Sequence, residues 1–219
     1  MAEMVFLKLG GSLITEKAQR EAPRRDVLQR VAGEIAAALA AAPGLRLVLG
    51  HGSGSYGHFA AERYGVHRGH LADWRGYAET AAAAARLDRL VIDALLAAGV
   101  PAVALQPSAS ARTCDGQLQE LVTWPLGQLL KRGLVPVVFG DVALDDTQGS
   151  SIISTEQIFE YLARQLVPQR ILLAGEVDGV YTADPHLEPE ARPIPRLSPA
   201  AWQAAERQLA GACGVDVTG

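Results

Sequence analysis

Four clusters along the chain combine residue types and spacings that could do chemistry. The first is Lys8-Leu9-Gly10-Gly11-Ser12, followed by Lys17. A lysine inside an apolar run is costly unless its ammonium reaches a partner or a ligand. Two glycines directly after it let backbone N–H groups come close to an anion. Taken alone, a strand-end turn with a snorkelling lysine explains the same residues. The second cluster is His51-Gly52-Ser53-Gly54-Ser55-Tyr56-Gly57-His58. Gly52, Gly54 and Gly57 satisfy GxGxxG, but a dinucleotide site also needs an acidic residue at the end of the next strand, about 20 residues on. Here the next apolar run starts near Val100, with helical patterns between. A glycine nest for phosphate at a helix N-terminus fits better. It places His58 at the head of that helix, facing the site; a purely structural histidine is the alternative.

The third cluster, Val137-Val138-Phe139-Gly140-Asp141, puts a carboxylate directly after an apolar run. Asp141 is then a site residue or a turn cap. The fourth runs from Glu176 through Asp178-Gly179 and Tyr181 to Asp184-Pro185, and Asp178-Gly179 also reads as a simple turn. No GxxxxGK[ST] is present, which excludes a P-loop, and the protein-kinase signatures are missing.

These clusters need elements to hold them. Met4 to Leu9, Leu45 to Leu49, Val100 to Leu105, Leu134 to Phe139 and Arg170 to Leu173 read as strands. Between them lie helical patterns. One is capped by Asp26 and carries Val27, Val31, Ile35 and Leu39. A long one from Arg75 to Ala98 carries Leu87, Val91 and Leu95 and is stopped by Gly99 and Pro101. A glycine-rich loop spans Gly50 to Gly57. Asp115-Gly116 predicts a hairpin between Arg112–Thr113 and Gln117–Val122, and a second hairpin turns at Asp145 to Gly149. Pro125 to Lys131 reads as a short helix closed by Gly133. Ser154 with Gln157 has capping-box spacing for a helix to Leu166. A proline-rich stretch from Asp184 leads to a helical pattern near Trp202 to Leu209. Such alternation predicts a three-layer α/β/α sandwich with a mostly parallel central sheet, and ligands at the carboxyl ends of its strands.

The chain has 219 residues, 49% hydrophobic and 20% charged, which suits one large α/β domain or two small lobes and a sizeable core. The net charge of −4 argues against a nucleic-acid binder but not against a small anionic substrate held by local cations. Cys114 and Cys213 lie in no metal-ligand spacing and read as free thiols in a reducing cytosol. The N-terminus has no signal-peptide pattern and no segment is apolar enough to span a bilayer, so a cytoplasmic protein is expected.

In the same order and over nearly the whole chain, the four clusters resemble the amino-acid-kinase superfamily. The block Val177 to Pro185 is similar to the nucleotide-site segment of uridylate kinases and their relatives. Finer marks resemble the isopentenyl phosphate kinase family: Lys8-Leu9-Gly10-Gly11-Ser12 with Lys17, Gly54-Ser55-Tyr56-Gly57-His58, Gln106-Pro107-Ser108, Gly140-Asp141-Val142 and Ile153-Ser154. His58 is the most specific. Acetylglutamate kinases share the glycine loop without it, while fosfomycin kinases carry it and are the second reading. A non-catalytic binding protein of the same fold is a third.

The resemblance implies ATP as phosphoryl donor, isopentenyl phosphate as acceptor and a homodimer. It implies that Lys8, Gly10, Gly11 and Ser12 contact ATP phosphates and that Lys17 stabilises the transferring group. Gly54 lies against the γ-phosphate; Ser53, Gly54, His58 and Gly140 hold the acceptor phosphate; Asp141 orients the lysines; Glu176, Tyr181 and Asp184 line the nucleotide site. Lys8, Lys17, His58 and Asp141 are thus the catalytic set. Mg²⁺ bridging the ATP phosphates is expected on chemical grounds, with no protein residue assigned to it. An isoprenoid tail would need an apolar wall, for which the helix through Trp74, Tyr77, Ala81 and Ala85 is a candidate.

Two departures stand out. Glu176 lies where many relatives carry Asp, Asn or Thr. The sequence also stops at Val217-Thr218-Gly219, where the family continues into a helix bearing another nucleotide-binding lysine, and it reads as truncated there.

Overall fold

The computed structural model describes residues 3–66, 69 and 71–198. The expected helix near Trp202 to Leu209, and Cys213, lie outside them. Cys114 is a free thiol.

Five strands form a parallel sheet in the order β3-β6-β2-β1-β9. They are β1 (Met4–Leu9), β2 (Arg46–His51), β3 (Ala102–Ala104), β6 (Val135–Phe139) and β9 (Arg170–Ala174). Alternate side chains serve two cores, as strand geometry requires. Val5, Leu9, Leu47, Leu49, Val135 and Val137 pack against helices α2 (Arg25–Ala41) and α4 (Arg75–Ala97), through Leu28, Ile35, Leu87, Val91 and Leu95. Met4, Phe6, Val48 and Val138 pack against α5 (Trp124–Lys131) and α6 (Thr155–Leu166), through Leu126, Leu130, Ile158, Phe159 and Leu162. The result is the expected α/β/α sandwich. None of the described helices is long and apolar enough to cross a membrane.

A second sheet, ordered β5-β4-β7-β8, is built from two hairpins: β4 (Arg112–Cys114) with β5 (Gln117–Glu120), and β7 (Asp141–Asp145) with β8 (Gly149–Ile153). Asp115 and Gly116 both take positive φ, 49° and 73°, as the expected Asp-Gly turn demands. The Ser154 side chain accepts a hydrogen bond from the Gln157 N–H at 3.1 Å and opens α6 as its cap.

Two boundaries differ from expectation. Asp26 is not the cap of α2. The helix starts at Arg25, and Asp26 lies in its first turn, where a carboxylate still favours the positive end of the helix dipole. The glycine-rich stretch is also not a loop as far as Gly57. Ser53 already has helical φ and ψ, and α3 (Gly54–Tyr64) begins directly after it. His58 therefore stands one turn inside the helix instead of at its head.

Candidate active site

The strand order sets four chain turns side by side at the carboxyl edge of the sheet. Three backbone bonds carry the ladder one residue past the strands. Gly10 N–H donates to Ala174 O at 2.7 Å, Gly52 N–H to Leu9 O at 3.0 Å and Gly140 N–H to His51 O at 3.0 Å. Gly10, Gly52 and Gly140 thus form a row of residues without side chains across β1, β2 and β6.

The turns after β1 and β2 then pack backbone on backbone. A Cβ on Gly11 would stand 2.7 Å from the Gly54 Cα, and one on Gly52 would stand 2.8 Å from the Gly11 N. Gly54 has φ +49°, and a Cβ there would meet Thr15 Oγ1 at 2.3 Å. That hydroxyl is already placed: it donates to Gly11 O at 2.7 Å and accepts from Ser55 N–H at 3.0 Å. After Gly11 the chain makes a single helical turn, α1 (Gly11–Ile14), which carries Ser12.

Lys8 points from β1 to Glu156 in the first turn of α6, with Nζ 2.5 Å from Oε1. Lys17 is exposed on the connection between α1 and α2 and forms no ion pair among the described residues. Its connection is pinned at several points. Arg24 holds Glu16 at 2.7 and 3.1 Å and reaches Glu176 at 3.4 Å. Arg86 of α4 grips Glu21 at 2.6 and 3.2 Å, and its hydrogen bond is the main cause that lowers the Glu21 pKa. Ala22 N–H donates to Ser55 Oγ at 3.2 Å. A free ammonium on a tethered loop suits a cation that meets its partner only during reaction.

Beside the second glycine turn, a small cleft opens between α3 and α4. It is lined by Ser53, Gly57, Ala61, Thr80, Ala84, Gly140, Asp141 and Ile152. Its lining combines two glycines and the polar Ser53, Thr80 and Asp141 with the apolar Ala61, Ala84 and Ile152. Tyr77, Ala81 and Ile152 join Ala61 and Val142 in a small hydrophobic cluster there. From α4 the cleft is lined by Thr80 and Ala84, while Tyr77 and Ala81 pack in the adjoining hydrophobic cluster and Trp74, just before α4, is 53% exposed. His58, half-buried, follows Gly57 on α3.

Asp141 is buried at the start of β7. Its Oδ2 accepts from Ser108 N–H at 3.0 Å and its Oδ1 from Val142 N–H at 2.8 Å. Burial raises its pKa first of all; the Ser108 and Val142 hydrogen bonds oppose that, and nearby Asp88 adds to it. Asp141 forms no ion pair with Lys8 or Lys17 among the described residues; Lys8 is paired with Glu156. Sequence reasoning missed Glu156 because nothing local marks it; it lies far from Lys8 along the chain.

On the other side of β1, the segment after β9 carries the remaining expected residues. Glu176 is paired with Arg24, which ties this segment to the Lys17 connection. Tyr181 OH donates to Asp178 Oδ1 at 2.5 Å. Asp184 Oδ1 accepts from His186 N–H at 2.9 Å. Thr182 N–H to Arg192 O and Ile194 N–H to Val180 O close a hairpin-like loop. Sequence reasoning also missed the buried pair His51–Asp88, whose ring nitrogen and carboxylate lie 3.2 Å apart.

Residues 3–212 match the family model described as the amino acid kinase family. The chain belongs to the amino acid kinase family. Within it, the chain sits with the isopentenyl phosphate kinases. It is 42% identical to the isopentenyl phosphate kinase of Methanothermobacter thermautotrophicus, over 86% of this chain and 73% of that protein. It is 34% identical to the one from Methanocaldococcus jannaschii, over 99% of this chain and 83% of that protein. A solved structure described as "X-ray structures of isopentenyl phosphate kinase" superposes with a TM-score of 0.84 at 37% identity, covering 94% of this chain and 85% of that one.

For an amino acid kinase, the placement of the two groups of residues is the telling feature. Lys8 lies on β1, with Gly10, Gly11 and Ser12 directly after it, and Glu176, Tyr181 and Asp184 lie in the segment after the neighbouring β9. Ser53, Gly54 and His58 follow β2, the last two on α3, while Gly140 follows β6 and Asp141 opens β7. The groups meet where Gly11 touches Gly54.

Proposed function

We propose that this protein transfers the γ-phosphoryl group of ATP to the phosphate of isopentenyl phosphate, giving isopentenyl diphosphate and ADP. An oxygen of the acceptor phosphate forms the new bond to the γ-phosphorus, and the bond from that phosphorus to the β–γ bridging oxygen breaks. The observation that carries this reading is the backbone contact of Gly11 with Gly54 at the boundary between the two groups of residues. It sets the two groups of residues side by side with no side chain between them, which supports an in-line approach of two phosphates held one on each side.

A phosphate monoester is already an anionic nucleophile, with a second pKa of about 6, so it needs no strong general base. The demand is for cations and donors against charge repulsion. In this reading Lys8, Gly10, Gly11 and Ser12 hold the ATP phosphates, and Lys17 meets the transferring group. Ser53, His58 and Gly140 hold the acceptor phosphate. Ala61, Ala84 and Ile152 are apolar enough for a short hydrocarbon tail. Glu176, Tyr181 and Asp184 belong to the nucleotide end. No group of three His, Cys, Asp or Glu among the described residues could hold a metal by itself. A Mg²⁺ ion carried on the ATP phosphates would neutralise developing charge there. We extend the reading to a cytoplasmic homodimer, as the family resemblance implies.

The test is ATP consumption with isopentenyl phosphate, compared with fosfomycin, acetylglutamate and UMP. Turnover confined to isopentenyl phosphate is the expected result. Preference for fosfomycin would replace the acceptor, and no turnover with any of them would favour a binding protein.

A further inference from the structure

His51 has no part in the transfer described above, yet it is fully buried directly before the glycine turn that receives the acceptor. Its ring stacks on Phe139, with centroids 5.4 Å apart and planes inclined by 13°. Both ring nitrogens face acceptors: Nδ1 is 3.1 Å from Gly52 O and Nε2 is 3.2 Å from Asp88 Oδ1. A carbonyl oxygen only accepts, so the contact with Gly52 O is a hydrogen bond in the tautomer that carries its proton on Nδ1. Asp88 is itself buried on α4, on the face where Ala84 and Thr80 line the cleft about one and two turns earlier.

The Nδ1 contact decides the direction of a peptide plane. The described chain has no cis peptide, and in a trans peptide the C=O and the following N–H point opposite ways. With Gly52 O turned inward to His51, the Ser53 N–H is turned outward. It lies on the Gly140 side of the cleft, where a Cβ on Gly140 would stand 3.7 Å from Ser53 N. Among the described residues, no acceptor takes this N–H. Glycine at position 52 offers little resistance of its own to a flip of this plane. A flipped plane would aim a carbonyl oxygen at the incoming anion.

We propose that His51 is a positioning residue, held by Asp88, that locks the Gly52–Ser53 peptide with its N–H aimed at the acceptor phosphate. The proposal rests on the phosphate-acceptor reading above and adds to it the device that keeps the donor pointing outward.

The test uses two amides that each imitate one ring nitrogen. In His51→Asn the amide nitrogen falls near the Nδ1 position and can still donate to Gly52 O; in His51→Gln it falls near the Nε2 position and cannot. Acceptor KM should stay within about threefold of the parent for His51→Asn and rise about tenfold or more for His51→Gln, with ATP KM little changed in both. Asp88→Ala provides a second variant, with the same selective rise in acceptor KM. Asp88→Asn should restore it, because its amide N–H can donate to Nε2 and leave the Nδ1 proton in place. Equal loss of Tm and of both KM values in the two His51 variants would mean that the ring only packs. A folded Asp88→Ala with unchanged acceptor KM would equally overturn the positioning role. Failure of the parent enzyme to turn over isopentenyl phosphate would instead count against the proposed reaction.

Discussion

Gly11 and Gly54 stand so close that a single methyl group on Gly11 would lie 2.7 Å from both the Cα and the N of Gly54. Gly54 is the more constrained of the two, since its φ of +49° is a conformation that side-chain-bearing residues rarely adopt. Gly54→Ala combines left-handed strain of roughly 1–2 kcal/mol with a clash against Thr15 Oγ1 worth about 1–3 kcal/mol. Chemical denaturation should show a loss of that combined order, and turnover should fall further than stability alone explains. A variant with parental stability and activity would show that the two turns separate freely.

Lys17→Ala should lower kcat far more than it raises either KM. The ammonium is exposed and unpaired on a connection pinned by Arg24 and Arg86, so it is poised for an interaction made mainly in the transition state. A rise confined to the ATP KM would make Lys17 a ground-state contact.

His58 carries the choice of a phosphate acceptor. His58→Ala should cost about 10- to 150-fold in acceptor kcat/KM, the worth of one charge-assisted contact, while ATP affinity is nearly unchanged. His58→Gln should recover part of the loss, because its amide can donate. Parallel losses of Tm and ATP binding in both variants would assign the histidine to helix packing. Steady-state kinetics, ATP titration and thermal melts on the two proteins separate these outcomes.

Asp145 predicts a pH dependence of stability away from the site. It is buried, which opposes ionisation, but N–H groups of Gln148, Gly116 and Thr147 donate to it and hold its pKa well below the usual carboxylate range. A depressed folded-state pKa stabilises above the unfolded value of about 3.9, and the contribution is lost as pH falls toward the folded value. Asp145→Asn should therefore cost about 1–3 kcal/mol at neutral pH. The gap from the parent should narrow progressively below about pH 4. A gap that stays constant down to acid pH would mean that the charge itself contributes nothing.

Much of this protein is legible locally. Asp115-Gly116 specifies its turn because both positions must take positive φ, and Ser154 with Gln157 specifies a helix start because a side-chain oxygen must meet an orphan N–H. The alternation of apolar runs and helical patterns fixes the layered sandwich, and Lys8, Gly10–Gly11, Gly52–Gly54, His58 and Asp141 declare themselves by type and spacing. Each of these depends on residues a few positions apart.

What the tertiary structure alone decided is which of those pieces touch. The strand order β6-β2-β1-β9 put three glycines in a row and brought Gly11 onto Gly54. It gave Lys8 to Glu156, Glu176 to Arg24, and His51 to Asp88. Strand order and helix placement are set by how whole faces bury against one another, and no short window of sequence contains both partners of any of these pairs. A charge or a ring nitrogen in such a window therefore shows its chemistry but not its partner.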